Sequence, residues 1–390
     1  MIEYRFVDCV DIVGRAPSQF DGEKIYVSTG ALQTDHIDYD QTEIITYESR
    51  PSRANLSAEI GDVLFAKMQA TSKTLVIDAT THNHIFSTGF CAVRAKKEML
   101  NNRCLYHIVS GEDFLRSKDQ NCSGATQKAI TNAGLAKIRI SLPPIDEQES
   151  IALRLDTIDK AISQCRSILE VLDATIKSRF IEMFGDPDSN PKGWEKGPMG
   201  DYMTLLTDFS ANGSYAYLDS NVTMYDQPNY ALMIRTTDLE RGDFEKDVKY
   251  IDEKAYNILA KSKIYGGEII MNKIGSAGKV YLMPHLNKPV SLGRNAFMFR
   301  FDERIDTSFL FYLLRTEYGT REIMQHVRGA VTKTITKDAV RSVRIIVPSI
   351  DHQKQFVDFV ATIEGSKKAV NDTMGKAEEL KASLMQEYFG

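Results

Sequence analysis

The stretch Gly124–Gln148, GATQKAITNAGLAKIRISLPPIDEQ, recurs 205 positions later as Gly329–Gln353, GAVTKTITKDAVRSVRIIVPSIDHQ. Eleven of the 25 aligned pairs are identical, among them Gly124/Gly329, Lys128/Lys333, Thr131/Thr336, Pro143/Pro348 and Gln148/Gln353. The same offset carries Glu182-Met183-Phe184-Gly185 onto Glu387-Tyr388-Phe389-Gly390. A tandem duplication on this scale requires two equivalent folding units. With 390 residues, each has enough chain to bury a core of its own.

After Pro143-Pro144 the hydrophobic period changes. Ile151, Leu155, Ile158, Ile162, Cys165, Leu169, Leu172 and Ile176 fall at alternating spacings of four and three, the a/d pattern of a coiled-coil seam. A helix over 145–185 would be about 60 Å long at 1.5 Å per residue, with Asp146 and Glu149 placed to form a capping box. The second copy, 350–390, keeps the seam through Phe356, Val360, Ile363, Val370 and Met374. However, Lys367 and Lys381 fall on it, and Gly365 and Gly375 weaken the helix. It should therefore need a partner, and the first helix is the natural one. Two like units sharing one interface relate most economically by a twofold axis. The helices are thus expected to run antiparallel, with the globular parts at opposite ends.

Those globular parts, 1–144 and 199–349, read as strand-rich. Lys24–Val27, Glu43–Tyr47, Asp62–Ala66, Thr74–Ile77 and Phe90–Val93 are β-branched or aromatic runs bounded by turn residues in the first. Ala231–Arg235, Glu268–Met271, Lys279–Met283 and Ala296–Phe301 continue the pattern in the second, with a helix over Ser308–Arg315. Thr131 and Thr336 are placed as N-caps of a short helical turn in each copy. The Pro- and Gly-rich segment 186–198 is the joint. The fold class expected is α+β: two strand-rich α/β domains separated by two long helices in an antiparallel coiled coil, with pseudo-twofold internal repeat.

The globular sequences align only in fragments, such as Gly61–Met68 with Gly267–Ile274. One scaffold thus presents two different surfaces, which suits a reader of a bipartite, non-palindromic target. Net charge is −5 overall, but the excess sits in the helices (−3 over 145–185, −2 over 350–390), leaving the bodies at −1 and +2. Whole-chain charge therefore does not exclude a nucleic-acid partner. The five scattered cysteines, never in CxxC spacing, point to reduced core thiols and a cytoplasmic setting. No apolar run reaches membrane-spanning length, and the N-terminus lacks a signal-peptide pattern.

The layout, the two Pro-x-x-x-x-Gln segments (Pro143–Gln148 and Pro348–Gln353) and the joint Met183-Phe184-Gly185-Asp186-Pro187…Asn190-Pro191-Lys192-Gly193-Trp194 resemble the specificity (S) subunit of type I restriction–modification systems. The resemblance covers essentially the whole chain. It implies two target-recognition domains on double-stranded DNA, and helices that space them and dock two methyltransferase (M) subunits, with restriction (R) subunits joining the complex. It also implies that S-adenosylmethionine and ATP with magnesium are bound by those partners and that this chain has no cofactor, metal or catalytic residue. Two other readings stand beside it: a methyltransferase or nuclease with a catalytic motif of another kind, and a coiled-coil scaffold that binds no DNA.

Asn, Gln, Arg and Lys are the side chains suited to purine edges in the major groove. On that basis the DNA-facing candidates are polar residues in loops between strands: Lys67, Gln69, Ser72, Lys73, Gln127 and Lys128 in the first domain, and Lys273, Ser276, Lys279, Arg294, Asn295, Thr332 and Lys333 in the second. Arg321, Arg328, Lys333, Lys337, Arg341 and Arg344 form a basic stretch suited to phosphate. Gly275–Val280 lacks the spacing of a phosphate loop and reads as a turn between strands. His82-Asn83-His84 reads as a surface loop.

Overall fold

The computed structural model describes residues 2–125 and 127–390. The chain divides into two compact units, Met1–Ile168 with Ala369–Gly390, and Leu169–Lys368. Each unit holds one globular body and a portion of both long helices.

In the first body, Val10–Ile12, Phe90–Ala95, Val63–Ala66 and Thr74–Val76 form an antiparallel sheet in that order. A second sheet runs Glu43–Ile45, Lys24–Val27, Ile85–Ser87, Ala54–Leu56, with its middle pair parallel. Alternation along Val63–Ala66 explains the layering. Leu64 and Ala66 enter a core with Val27, Phe86 and Phe90, whereas Val63 and Phe65 face a second core with Leu105, Ile108 and Phe114 of the helices Asn102–Ser110 and Glu112–Gln120. A short ribbon, Ile2–Arg5 with Arg139–Leu142, leads into the long helix.

The second body repeats this plan although its sequence aligns only in fragments. Met203–Asp208, Ala296–Phe301, Ile269–Asn272 and Val280–Leu282 form the antiparallel sheet. Lys249–Ile251, Ala231–Ile234, Val290–Leu292 and Lys263–Ile264 form the mixed one, again with a parallel middle pair. The helices Thr307–Leu314 and Glu317–Met324 cover the antiparallel sheet, and Glu195–Pro198 pairs with Arg344–Val347. The stretch read as a joint therefore ends in a strand and is tightly folded. The Asn190 side-chain amide donates to the Trp194 carbonyl and accepts from the Trp194 backbone N–H, the Trp194 indole donates to the Phe184 carbonyl at 2.9 Å, and Lys192 caps the carbonyls of Glu182 and Met183.

The long helices, Ile145–Phe184 and Ile350–Phe389, have 40 residues each. They pack antiparallel in each unit. In the first, Arg154 donates to the Tyr388 hydroxyl at 3.0 Å, and Lys381 meets Asp159 at 2.5 Å. In the second, Lys367 meets Asp173 at 2.9 Å, and the rings of Phe180 and Phe184 lie 5.5 Å from Phe356. The expected seam is the covered face. Ile151, Leu155, Ile162, Cys165, Phe356 and Val360 are buried, while Ile158, Leu169, Leu172, Ile363, Val370 and Met374 are half-buried. Lys367 and Lys381, which weaken the seam as read from sequence, are each matched by an aspartate of the facing helix. Polar residues placed this way fix register.

Two details differ from expectation. The first helix already begins at Ile145, so Asp146 lies inside its first turn. No capping box forms there among the described residues, and Asp146 and Glu147 instead face the positive end of the helix dipole. His84 is buried at 8% exposure rather than on the surface, packed near Tyr39 and Phe86, and burial pulls its imidazole below its ordinary value.

The Pro-x-x-x-x-Gln repeat has a specific structural purpose. Gln148 is fully buried; its amide oxygen accepts from Asn101 N at 2.7 Å, and its amide nitrogen donates to the Met99 and Pro143 carbonyls at 3.0 Å. Gln353 makes the same three bonds to Asp306 N, Arg304 O and Pro348 O at 2.8–2.9 Å. In each unit this amide rivets the start of the long helix to the N-cap of the shorter helix above it. Thr131 and Thr336 cap as expected, each accepting from the backbone three residues on at 3.2 Å.

Candidate nucleic-acid interface

In the first body the strand Val63–Ala66 runs into the loop 67–73, which lies beside Gln127 and Lys128. Gln69 N donates to Lys128 O at 3.0 Å and Ile130 N to Lys67 O at 2.9 Å. These bonds bring Lys67, Gln69, Gln127 and Lys128 to one edge. Gln69, Ser72, Gln127 and Lys128 are exposed; Lys67 is half-buried, and so is Lys73, whose ammonium is tied to the Thr29 carbonyl at 2.8 Å. The ammonium groups of Lys67 and Lys128 have no hydrogen-bond partner among the described residues.

The second body builds the same edge. Gly275 N donates to Lys333 O at 3.0 Å, Ile335 N to Lys273 O at 3.1 Å, and Lys273 N to Asn295 O at 2.9 Å. This collects Ser276, Asn295, Thr332 and Lys333, all exposed, with Lys279 and Arg294 beside them. The repeated glycine has a mechanical reason. Gly124 and Gly329 have φ of +137° and +103°, and a Cβ on either would stand 2.5 or 2.1 Å from the carbonyl oxygen of Gln127 or Thr332. Only glycine closes this tight loop, which offers Lys128 and Lys333 from the same place in each body.

Electrostatics sorts the remaining cations. Lys273 points inward and is 8% exposed, its ammonium 2.9 Å from the buried Asp208, which Lys337 also meets at 2.9 Å. Burial alone would raise the Asp208 carboxyl, but hydrogen bonds from Lys273, Lys337 and Ser210 hold it below its ordinary value. Lys273 therefore belongs to the core rather than to a contact surface, which corrects its reading from sequence. Lys279 pairs with Glu240, and Arg294 with Asp219 while stacking on Phe209 at 5.2 Å. Both pairs are solvent-exposed and so weak, roughly 0–1 kcal/mol, that a phosphate can displace the carboxylate. Within the basic stretch, Arg321 is held by Asp188, Lys337 by Asp208 and Arg341 by Asp338, whereas the exposed Arg328, Lys333 and Arg344 meet no carboxylate among the described residues.

Sequence reasoning missed what lies beneath the first loop. Lys118 and Asp119, from the helix Glu112–Gln120, reach under it and bond its backbone. In sequence they are two charges in an ordinary amphipathic helix. A groove of about 800 Å³ borders the second edge, lined by Ser276, Lys279, Lys333, Phe311 and Met324 among others.

With two bodies of one topology, each ending in a polar, basic loop edge, the comparison with known proteins is decisive. A family model, the type I restriction modification DNA specificity domain, matches residues 11–173 and again 191–379. The chain belongs to this family.

The specificity subunit of type I restriction enzyme MjaVIII from Methanocaldococcus jannaschii is 22% identical over 316 residues, spanning 77% of this chain and 72% of that one. The EcoBI specificity subunit from Escherichia coli is 21% identical over 325 residues, spanning 77% and 67%. The solved type I restriction–modification S subunit from M. genitalium shares the fold with a TM-score of 0.56 at 12% identity, covering 100% of this chain and 96% of that one. As a type I DNA specificity subunit the chain is a recognition component without catalysis of its own; the chemistry lies in other subunits. Neither a self-contained methyltransferase or nuclease nor a scaffold that binds no DNA is favoured. No helix among the described residues is long and apolar enough to cross a membrane.

Proposed function

We propose that each body reads one half of an interrupted, asymmetric site on double-stranded DNA, and that the helix pair sets the spacing and docks two methyltransferase subunits. Restriction subunits join that assembly in the cytoplasm, and S-adenosylmethionine and ATP with magnesium act in the partners. The observation that carries this reading is one topology built twice with different loop edges. Lys128 and Lys333 recur at equivalent places and suit phosphate, which carries no sequence information. Gln69, Gln127, Ser276, Arg294, Asn295 and Thr332 differ between the bodies and suit base edges.

The test is selection of binding sites from random duplex DNA by the chain assembled with its methyltransferase subunits. Two short conserved blocks of different sequence, separated by a fixed number of unspecified base pairs, are expected. A single continuous block, or a perfect palindrome, would refute the division of labour.

A further inference from the structure

Lys118 is 1% exposed, and a buried ammonium is tolerated only where its donors are met. Its Nζ donates to the carbonyls of Thr71 at 2.6 Å, Met68 at 3.0 Å and Ala66 at 3.4 Å, with Asp119 Oδ1 at 3.4 Å. Met68 and Thr71 belong to the loop that carries Lys67, Gln69, Ser72 and Lys73, and Ala66 ends the strand that leads into it. Asp119 acts on the same loop from the side. Its carboxylate accepts from Ala70 N at 3.0 Å and its carbonyl from the Gln69 amide at 3.3 Å. Ala70 has φ of +56°, a conformation that a residue with a Cβ adopts only when its surroundings impose it.

The second body shows that a cation is not required at this position for folding. The helix Glu317–Met324 occupies the place of Glu112–Gln120, and Ile323 stands where Lys118 does. There the supported loop turns on glycines at φ +81° and +91°, Gly275 and Gly278, and a Cβ on Gly278 would lie 2.6 Å from Ile323. One helix position thus supports the recognition loop by two different chemistries: an apolar contact beneath glycines in one body, a buried charge gathering carbonyls in the other.

We propose that Lys118 and Asp119 are positioning residues for the first half-site. They fix the backbone course of residues 67–73, and thereby the bases that Gln69 and its neighbours reach. This rests on the reading of each body as a half-site reader. A buried cation holds three carbonyl oxygens at a set distance from one point, whereas an apolar residue fills space without dictating where a carbonyl points.

The experiment uses the chain with its methyltransferase subunits and measures affinity for the selected duplex and for duplexes altered in one half or the other. The variants are Lys118→Met, Asp119→Ala and Asp119→Asn. Lys118→Met and Asp119→Ala are expected to lower discrimination at the first body's half-site by about tenfold, the scale of one lost base contact, and to leave the other half-site unchanged. Asp119→Asn, which keeps an acceptor for Ala70 N, is expected to restore discrimination. It also tests the proposal if Lys118→Met fails to fold. An equal fall in affinity for all duplexes, with discrimination intact at both halves, would mean that the pair only stabilises the body and would overturn the proposal. A wild-type complex without separate half-site discrimination would overturn the underlying reading and this inference with it.

Discussion

At the scale of single residues, the second body holds a buried carboxylate met by two lysines. Asp208 holds Lys273 and Lys337 together beneath the loop edge. Removing one partner of such a group leaves the others uncompensated. Asp208→Ala is therefore expected to cost about 3 kcal/mol at neutral pH, measured by denaturant unfolding. Burial opposes the Asp208 charge, but the three hydrogen bonds outweigh it and depress the folded value. The stabilisation is thus complete above the ordinary carboxylate range and is lost as the pH falls through the depressed value. The gap between wild type and variant should narrow below about pH 4; a gap of constant size would show that the carboxylate charge is not what matters. None of this was legible in sequence. Lys273 lies in a polar turn, and its burial depends on Asp208, 65 positions away. Lys118 is hidden for the same reason, since its partners lie about 50 positions back in the chain.

At the scale of elements, legibility follows length. A seam sustained over more than three heptads announces both long helices, because each further turn repeats the same test of period. Strands of three residues such as Val10–Ile12, Ala54–Leu56, Ile85–Ser87 and Val290–Leu292 have no period to read, and they exist because distant neighbours pair with them. The lysines of the second seam are the informative departure. Lys367 occupies the place that Ile162 holds in the first copy, and it meets an Asp173 that is 58% exposed. Lys367→Ile should therefore let Asp173 return to water while restoring an apolar seam. The expected thermal stability is unchanged or raised, by up to about 1 kcal/mol. A loss larger than that would mean that the ion pair holds the helices together rather than choosing their register.

At the scale of the whole molecule, one sheet-and-helix plan is written twice in sequences that have diverged almost everywhere except where geometry forbids it. The residues kept are Gly124 and Gly329, which no larger residue can replace, Thr131 and Thr336, which cap, and Gln148 and Gln353, which rivet body to helix. What diverged is the loop edge. Duplication was therefore plain in the sequence, whereas the shared topology of the two bodies was not, because short strands tolerate nearly any alternation of apolar and polar residues. The most direct test of the central claim is to exchange residues 199–349 for the equivalent segment of another member of the family. The modified bases in a genome carrying the hybrid are then read. The account predicts an interrupted motif in which one half is new, while the other half and the spacing remain those of the parent. A motif altered in both halves would contradict it.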